Sequence, residues 1–598
     1  MKVYLKLGIL LFMISCSKET KQYEINWTPI QHYYLTNLET SINQLTTLKR
    51  KDLQIEEAKV IFASVRNAFK KAEPYASYLN PSVGHRVNGP ALPIFKEDNQ
   101  KIIEPVGLQT IEESIYEDKM ATAHFRREVD ITIGLLKTLT KSVAKRPLNA
   151  QRFFIATHQQ LLRIISLGIT GFDTPISHLG LQESALSLQS LADVYTMTIQ
   201  MDIKKKDADL DSAFLDSIVK AIRFIETQPS FEDFDRYTFL RDYMNPITRL
   251  WVSMRQKSGL WKDNLAFPFN FNAPTFFEHD SFNTEYFTSA INRNTTRDRI
   301  ALGERLFFDK NLSKNKTISC ATCHLPNEAY SDTLVNSLDN NGNPLLRNTP
   351  TLINSIYQRS FFWDGRSQTL LDQIASVFTN EKEFDSTVHQ FSNEILKDTT
   401  YIELFNKAYG GLSSRNTEVI KAISSFIGTL NGFNAKFDRN IRGDENTFTE
   451  QEKQGFNLFA GKALCATCHF IPLMNGTVPP FYTETEKEVI GVPQTEANLE
   501  LDNDTGFYWK FKESIHKGMF KTPTVRNVEK TAPYMHNGVY KTLDQVMEFY
   551  NLGGGAGLGF DLPHQTLPFD KLELTDAELE ALIAYLKTLT DYQVATDS

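Results

Sequence analysis

The pentapeptide Cys-Ala-Thr-Cys-His occurs twice, at Cys320–His324 and at Cys465–His469, and nothing else in the chain constrains it as tightly. Two thiols three residues apart on a turn can add across the two vinyl groups of a haem, and the histidine that follows then reaches the iron as its proximal ligand. Zinc would need four ligands at each motif. A redox-active thiol pair has no use for a histidine at the next position. Of the five cysteines, four stand in these motifs and the fifth is Cys16, so none is left for a disulfide framework. The residues therefore imply two covalently bound haem c groups, one on Cys320, Cys323 and His324 and one on Cys465, Cys468 and His469.

The flanking sequence is duplicated as well. Leu302-Gly-Glu-Arg-Leu-Phe-Phe precedes the first motif and Gln454-Gly-Phe-Asn-Leu-Phe-Ala the second. Thr449-x-x-Glu452 and Thr575-x-x-Glu578 are capping boxes that open helices, the latter carrying Leu579, Leu582, Ile583, Leu586 and Leu589. Upstream, Leu35, Leu38, Ile42, Leu45 and Leu48 recur at helical spacing, and so do Phe214, Leu215, Ile218, Val219, Ile222 and Ile225. Residues 263–296, rich in Asn, Phe and Pro, read as a linker. Gly553–Gly559 fails the spacing of a phosphate cradle and reads as a flexible loop. The expected division is a leader over 1–16, a helical domain of unassigned role over 17–270, a first haem domain over 285–445 and a second over 446–595. The fold class is mostly α.

Lys2 and Lys6 followed by the apolar run Leu7–Ile14 form an export signal, too short to span a bilayer. Met13-Ile-Ser-Cys16 resembles a bacterial lipobox, which implies a lipoprotein acylated at Cys16, anchored to a membrane in the periplasm or outer cell envelope. Sixty-four basic against seventy-two acidic residues, with no basic run, argue against nucleic acid as a partner.

Beyond the two motifs the chain carries Leu306-Phe-Phe-Asp309, Arg347-Asn-Thr-Pro350, Phe362-Trp-Asp-Gly-Arg366, Lys521-Thr-Pro-Thr-Val-Arg-Asn527 and Thr531-Ala-Pro-Tyr-Met-His-Asn-Gly538. In this ordered set, residues 295–592 resemble the bacterial di-haem cytochrome c peroxidases, including the MauG-like enzymes. The resemblance implies two cytochrome c-like haem domains, the first peroxidatic, with an active site near their interface. Gly107-Leu-Gln-Thr-Ile-Glu112 faintly resembles the signature of imelysin-like proteins, with Gln109 in place of its histidine.

Residue roles follow from the same resemblance. The family's catalytic glutamate falls on Glu383, with Glu381 as rival, and its active-site glutamine on Gln373. Val377 and Phe384 replace a usual Pro and Met nearby. Trp363 matches the tryptophan between the haems, and Asn348, Thr531 and Pro533 match an interdomain Ca²⁺ site, calcium being a cation that takes carbonyl and amide oxygens. Where many members hold a removable distal histidine this chain has Asn340, and no histidine occurs from 325 to 388. The first haem is thus expected to be open at rest. Tyr550 occupies the place of the second iron's distal ligand, which is methionine in the peroxidases and tyrosine in the MauG-like enzymes; Met547, one turn earlier, is the rival.

The leading expectation is an enzyme that reduces hydrogen peroxide to water with electrons from a small cytochrome or similar donor. A MauG-like oxidase that modifies a protein or organic substrate is the alternative. An electron-transfer lipoprotein with both irons closed is the reading from outside enzymology.

Overall fold

The structure is a computed structural model that describes residues 25–89, 94–96, 101–228, 230–262, 267–386, 397–410, 416–568 and 570–591. The leader and Cys16 lie outside the described residues. The chain is mostly helical, with two short two-stranded sheets among the described residues. None of the described helices is long and apolar enough to cross a membrane.

In the N-terminal half, the helix Thr28–Thr47 buries Ile30, Tyr34, Leu38 and Leu45, with Leu35 and Ile42 half-buried beside them. It packs along Ile55–Leu79. In the helix Ala208–Glu226 the buried stripe is Phe214, Ile218, Ala221 and Ile225. Val219, expected on this face, is 62% exposed, because five residues from Phe214 turn it about 140° away at 100° per residue. The interior of this half also holds charge. Arg66 donates twice to Glu183 at 2.6 Å and once to Asn88 at 2.7 Å, and Lys70 donates to Glu73 at 3.0 Å and Asp173 at 2.5 Å. All six side chains are buried. A buried charge persists only when paired and hydrogen-bonded, and this network meets that condition.

The stretch expected to be a linker is a packed joint. Phe269, Phe271, Phe276, Phe277 and Phe282 are buried. The His158 ring lies 4.6 Å from Phe276 and 4.9 Å from Phe271, while Phe282 meets Tyr357, Phe433 and Tyr482 on the other side. Asn and Pro suggested a solvated tether, but so many phenylalanines in so few residues can only be satisfied by burial.

The N-terminal half, this joint and the second module share one continuous apolar core running from Ile25 to Leu589. The first module has a core of its own, from Leu302 to Leu430. A π-helical turn at Ile164–Gly168 presses Ser166 and Leu167 onto the second module, where Ser166 donates to the carbonyl of Ile471 and Leu167 joins Phe172, Phe470 and Val478. Asn245 donates to Ile441 O at 2.7 Å, and Asn457 accepts from Tyr237 N at 2.8 Å.

The duplication is visible in a shared packing device. In the first module, helix Arg297–Phe308 crosses Asn416–Ile427 so closely that a Cβ on Gly303 would lie 1.9 Å from Ala422 O. In the second, helix Glu450–Phe459 crosses Asp576–Lys587, and a Cβ on Gly455 would lie 1.9 Å from Ala581 O. The glycine of each duplicated segment is therefore the point where backbones touch. Both expected capping boxes form. The glycine-rich stretch is a short helical turn, Gly554–Gly557, rather than a loose loop, entered through Gly553 at φ 90° and crossing Gly491 too closely for a side chain on Gly555.

Candidate active site

Both Cys-x-x-Cys-His motifs open into one cavity of about 1800 Å³ at the seam between the modules. An ordinary small-molecule pocket holds roughly 300–1,000 Å³, so the space suits more than one large group. Ser319 caps the one-turn helix Cys320–Cys323, and Leu464 in the left-handed region launches the turn Cys465–Thr467. These tight turns set two sulfurs and an imidazole against the same space.

The imidazoles are held alike. His324 Nδ1 donates to Tyr330 O at 2.9 Å and His469 Nδ1 donates to Pro523 O at 3.0 Å. A carbonyl only accepts, so the proton sits on Nδ1 and Nε2 keeps its lone pair for a metal. Burial lowers the pKa of His324 and takes His469 down to about 4, so both rings are neutral near pH 7. Burial also pushes the thiols of Cys320, Cys323 and Cys465 up to about 12, and Cys468 well above its ordinary value. Such surroundings disfavour thiolate and tolerate an uncharged thioether. Among the described residues, no three His, Cys, Asp or Glu side chains converge as a zinc site requires. The donor set, the ring orientation and the cavity size fit two covalently attached haems.

On the first-motif side the wall includes Phe362, Trp363, Arg366, Gln373, Asn380 and Glu383. Burial raises the Glu383 carboxyl above the ordinary carboxylate range, while a 2.6 Å hydrogen bond from Asn380 and the nearby Arg366 act the other way. Glu381 is exposed and does not line the cavity. Gln373 Oε1 accepts from Phe362 N at 2.9 Å, tying the Phe-Trp-Asp-Gly-Arg loop to helix Leu370–Thr379. Asn340 does not line the cavity. It donates through its amide to the carbonyls of Glu381 at 2.9 Å and Glu383 at 2.8 Å, and through its backbone to Lys382 O at 3.0 Å.

Trp363 is half-buried on the cavity wall and donates to Asn348 O at 2.8 Å, while its carbonyl accepts from Lys521 N at 2.7 Å. Asn348, Thr531 and Pro533 line the same seam, where Asn348 N donates across the module boundary to His536 O at 2.8 Å. On the second-motif side, helix Leu543–Asn551 brings both Tyr550 and Met547 to the wall. The Tyr550 hydroxyl makes no hydrogen bond to another described residue, and burial holds the phenol well above its ordinary pKa.

Several residues that shape the site were not among the expected site residues. The carbonyls of Tyr330 and Pro523 are backbone atoms, although Pro523 sits within the Lys521–Asn527 motif. Glu486 and Glu488, on and beside the strand Lys487–Val489, face the second motif, with burial raising both carboxyls, and Lys521 on the paired strand Met519–Lys521 is brought down to about 8 by burial. Arg347 clasps the seam, donating to Asp504 at 2.6 and 3.0 Å and to Asp364 at 2.7 Å. The N-terminal half reaches the wall through Gln109, Phe172 and His178, with Gln109 donating to Phe172 O at 2.6 Å.

A family model described as di-haem cytochrome c peroxidase matches residues 297–446. The chain is 32% identical over 309 residues to the cytochrome-c peroxidase IdrP2 of Denitromonas iodatirespirans, covering 49% of this chain and 82% of that protein. It is 33% identical over 302 residues to the methylamine utilization protein MauG of Methylorubrum extorquens, covering 49% of this chain and 78% of that one. Among solved structures, a MauG-like protein associated with microbial copper homeostasis is 27% identical with a TM-score of 0.46, over 52% of this chain and 94% of that chain.

Proposed function

The chain belongs to the di-haem cytochrome c peroxidase family, which includes MauG, and on that premise we propose that it reduces hydrogen peroxide to water with electrons from a small cytochrome or similar donor. The observation that carries this reading is the half-buried Glu383 carboxyl on the same cavity wall as the Cys320–His324 motif. Haem supplies the cleavage of the O–O bond when bound. Glu383 takes a proton from one peroxide oxygen and returns it to the departing one, and burial, which raises its pKa, makes it a stronger base than a surface carboxylate for that transfer. Asn380 and the backbone clamp from Asn340 keep the carboxyl in place. Gln373 holds the loop that carries Trp363. His324 and His469, oriented by their carbonyl partners, are the proximal ligands. The reading also includes Ca²⁺ held by Asn348, Thr531 and Pro533, and export with a lipid anchor on Cys16.

Glu383→Gln keeps the size and removes the titration, so peroxide turnover should fall about 10²–10⁴-fold, the usual contribution of a general acid–base group. Glu381→Gln should leave the rate within error. A normal Glu383→Gln enzyme beside a dead Glu381→Gln enzyme would overturn the assignment.

One observation favours the MauG-like alternative, in which peroxide is used to modify a protein or organic substrate. Tyr550 presents an unpartnered hydroxyl at the second motif, and a phenolate oxygen is a hard donor that favours oxidised iron, whereas methionine raises the potential. Changing Tyr550 to Phe should alter the low-spin signal of the second haem and Met547→Leu should not; the reverse result would restore methionine ligation and the simple peroxidase.

A further inference from the structure

The seam holds a tryptophan that the reading above does not use. Trp509 lies on the short helix Tyr508–Phe511, just past Asp504, which Arg347 clasps. It is 47% exposed, and among the described residues it is the one exposed tryptophan of the five in the chain. An exposed indole ordinarily leaves its N–H to water. This one donates inward, to Asp364 Oδ2 at 2.9 Å. Asp364 is fully buried, receives Arg347 at 2.7 Å and Arg366 at 2.9 Å, and directly follows Trp363 in the chain. Trp509 and Trp363 line the same cavity. The Trp509 indole is thus linked to Trp363 by one hydrogen bond to Asp364 and the peptide bond that follows Trp363, while the Trp363 indole itself donates to Asn348 O at 2.8 Å.

Indole gives up an electron without losing a proton more readily than phenol or thiol does, and a carboxylate in hydrogen-bond contact stabilises the positive charge left by a departing electron. Burial works to raise the Asp364 pKa, but the two arginines hold it below the ordinary carboxylate range, so it is a poor base for the Nε1 proton. Next to His469, Phe470 is covered by Phe172 of the N-terminal half at 5.3 Å, and Trp509 lies on a different segment, at the seam.

We propose that Trp509 is the surface port through which electrons enter the site, passing them singly to Trp363. The inference rests on the peroxidase reading. In each transfer Trp509 loses one electron inward and becomes an indole radical cation, and an external one-electron donor, a reduced cytochrome, restores it. Two such transfers with two protons from water reduce one hydrogen peroxide to two water molecules.

The test uses the full-length protein with both haems bound. Mixed with hydrogen peroxide in the absence of donor and freeze-quenched, it should show a radical whose electron paramagnetic resonance spectrum narrows when tryptophan is deuterated on the indole ring. Trp509→Phe should abolish that signal and lower the rate of oxidation of reduced cytochrome c by about tenfold or more, a barrier increase of about 1.4 kcal/mol. Trp509→Tyr, which restores a redox-active ring, should recover part of the rate, with haem content and Soret spectrum matching the parent. A Trp509→Phe protein that keeps both the radical and the rate, beside a parent that turns over peroxide, would overturn the port and leave the peroxidase reading intact. A parent that consumes no peroxide would overturn both. Should Trp509→Phe lose haem, the Trp509→Tyr protein decides: a tyrosine-type radical supports the port, and an unchanged tryptophan-type radical overturns it.

Discussion

At the scale of single residues, the site is governed by what burial does to ionisation. Glu383 is pushed above the ordinary carboxylate range of about 4.3, so it stays protonated to a higher pH than a surface glutamate. As pH falls, the base form is lost earlier. The acid limb of kcat/KM for peroxide should therefore lie above the ordinary carboxylate range, and it should vanish in Glu383→Gln while the Glu381→Gln profile keeps it. A limb at the ordinary value in the parent would detach Glu383 from the rate. At this scale the sequence was informative where chemistry needs particular side chains at a particular spacing, two thiols and a histidine, whereas Glu383 came from the family resemblance alone. It was silent where the partner is backbone. Nothing in the identity of Tyr330 or Pro523 says that its carbonyl orients an imidazole. Asn340 shows a middle case: the sequence says which histidine is missing, but not that the asparagine clamps the Glu383 loop.

At the scale of elements, the duplicated Gly-x-x-Leu-Phe segments were legible as a repeat, and the structure supplies the reason for their glycines. Gly303→Ala and Gly455→Ala each place a methyl group against a carbonyl oxygen of the partner helix. Overpacking of this kind costs about 1–3 kcal/mol, and more where backbone must move. Each substitution should lower the denaturation midpoint of its own module, read by the loss of that module's haem spectrum on unfolding. Equal midpoints in parent and variants would mean the helices part at no cost. The joint at 267–287 was misjudged from sequence because Asn and Pro describe the backbone's turns, whereas the phenylalanines between them determine where the segment lies. Val219 was misplaced for a related reason: Ala221, too small to draw notice in a hydrophobic pattern, is the residue that completes the buried stripe.

At the scale of the whole molecule, the N-terminal half and the second module unite in one core while the first module keeps its own. No periodicity in either half announces that union, since it is made by contacts more than two hundred residues apart, such as Tyr237 to Asn457 and Ser166 to Ile471. Calorimetry of the holoprotein should show at most two transitions, with Gly303→Ala moving one and Gly455→Ala the other; three independent transitions would contradict the shared core. Two attachment motifs also require two haems. A Cys465→Ala/Cys468→Ala protein should retain about one, and retention of both would remove the second site. The central claim is that the chain, as isolated and without prior reduction, uses peroxide as a two-electron acceptor from a one-electron donor. Counting reduced cytochrome c oxidised per hydrogen peroxide consumed by the fully oxidised protein tests it most directly. A steady ratio of two from the first turnover is expected. Peroxide consumed with bleaching of the haems and no cytochrome oxidised would contradict it.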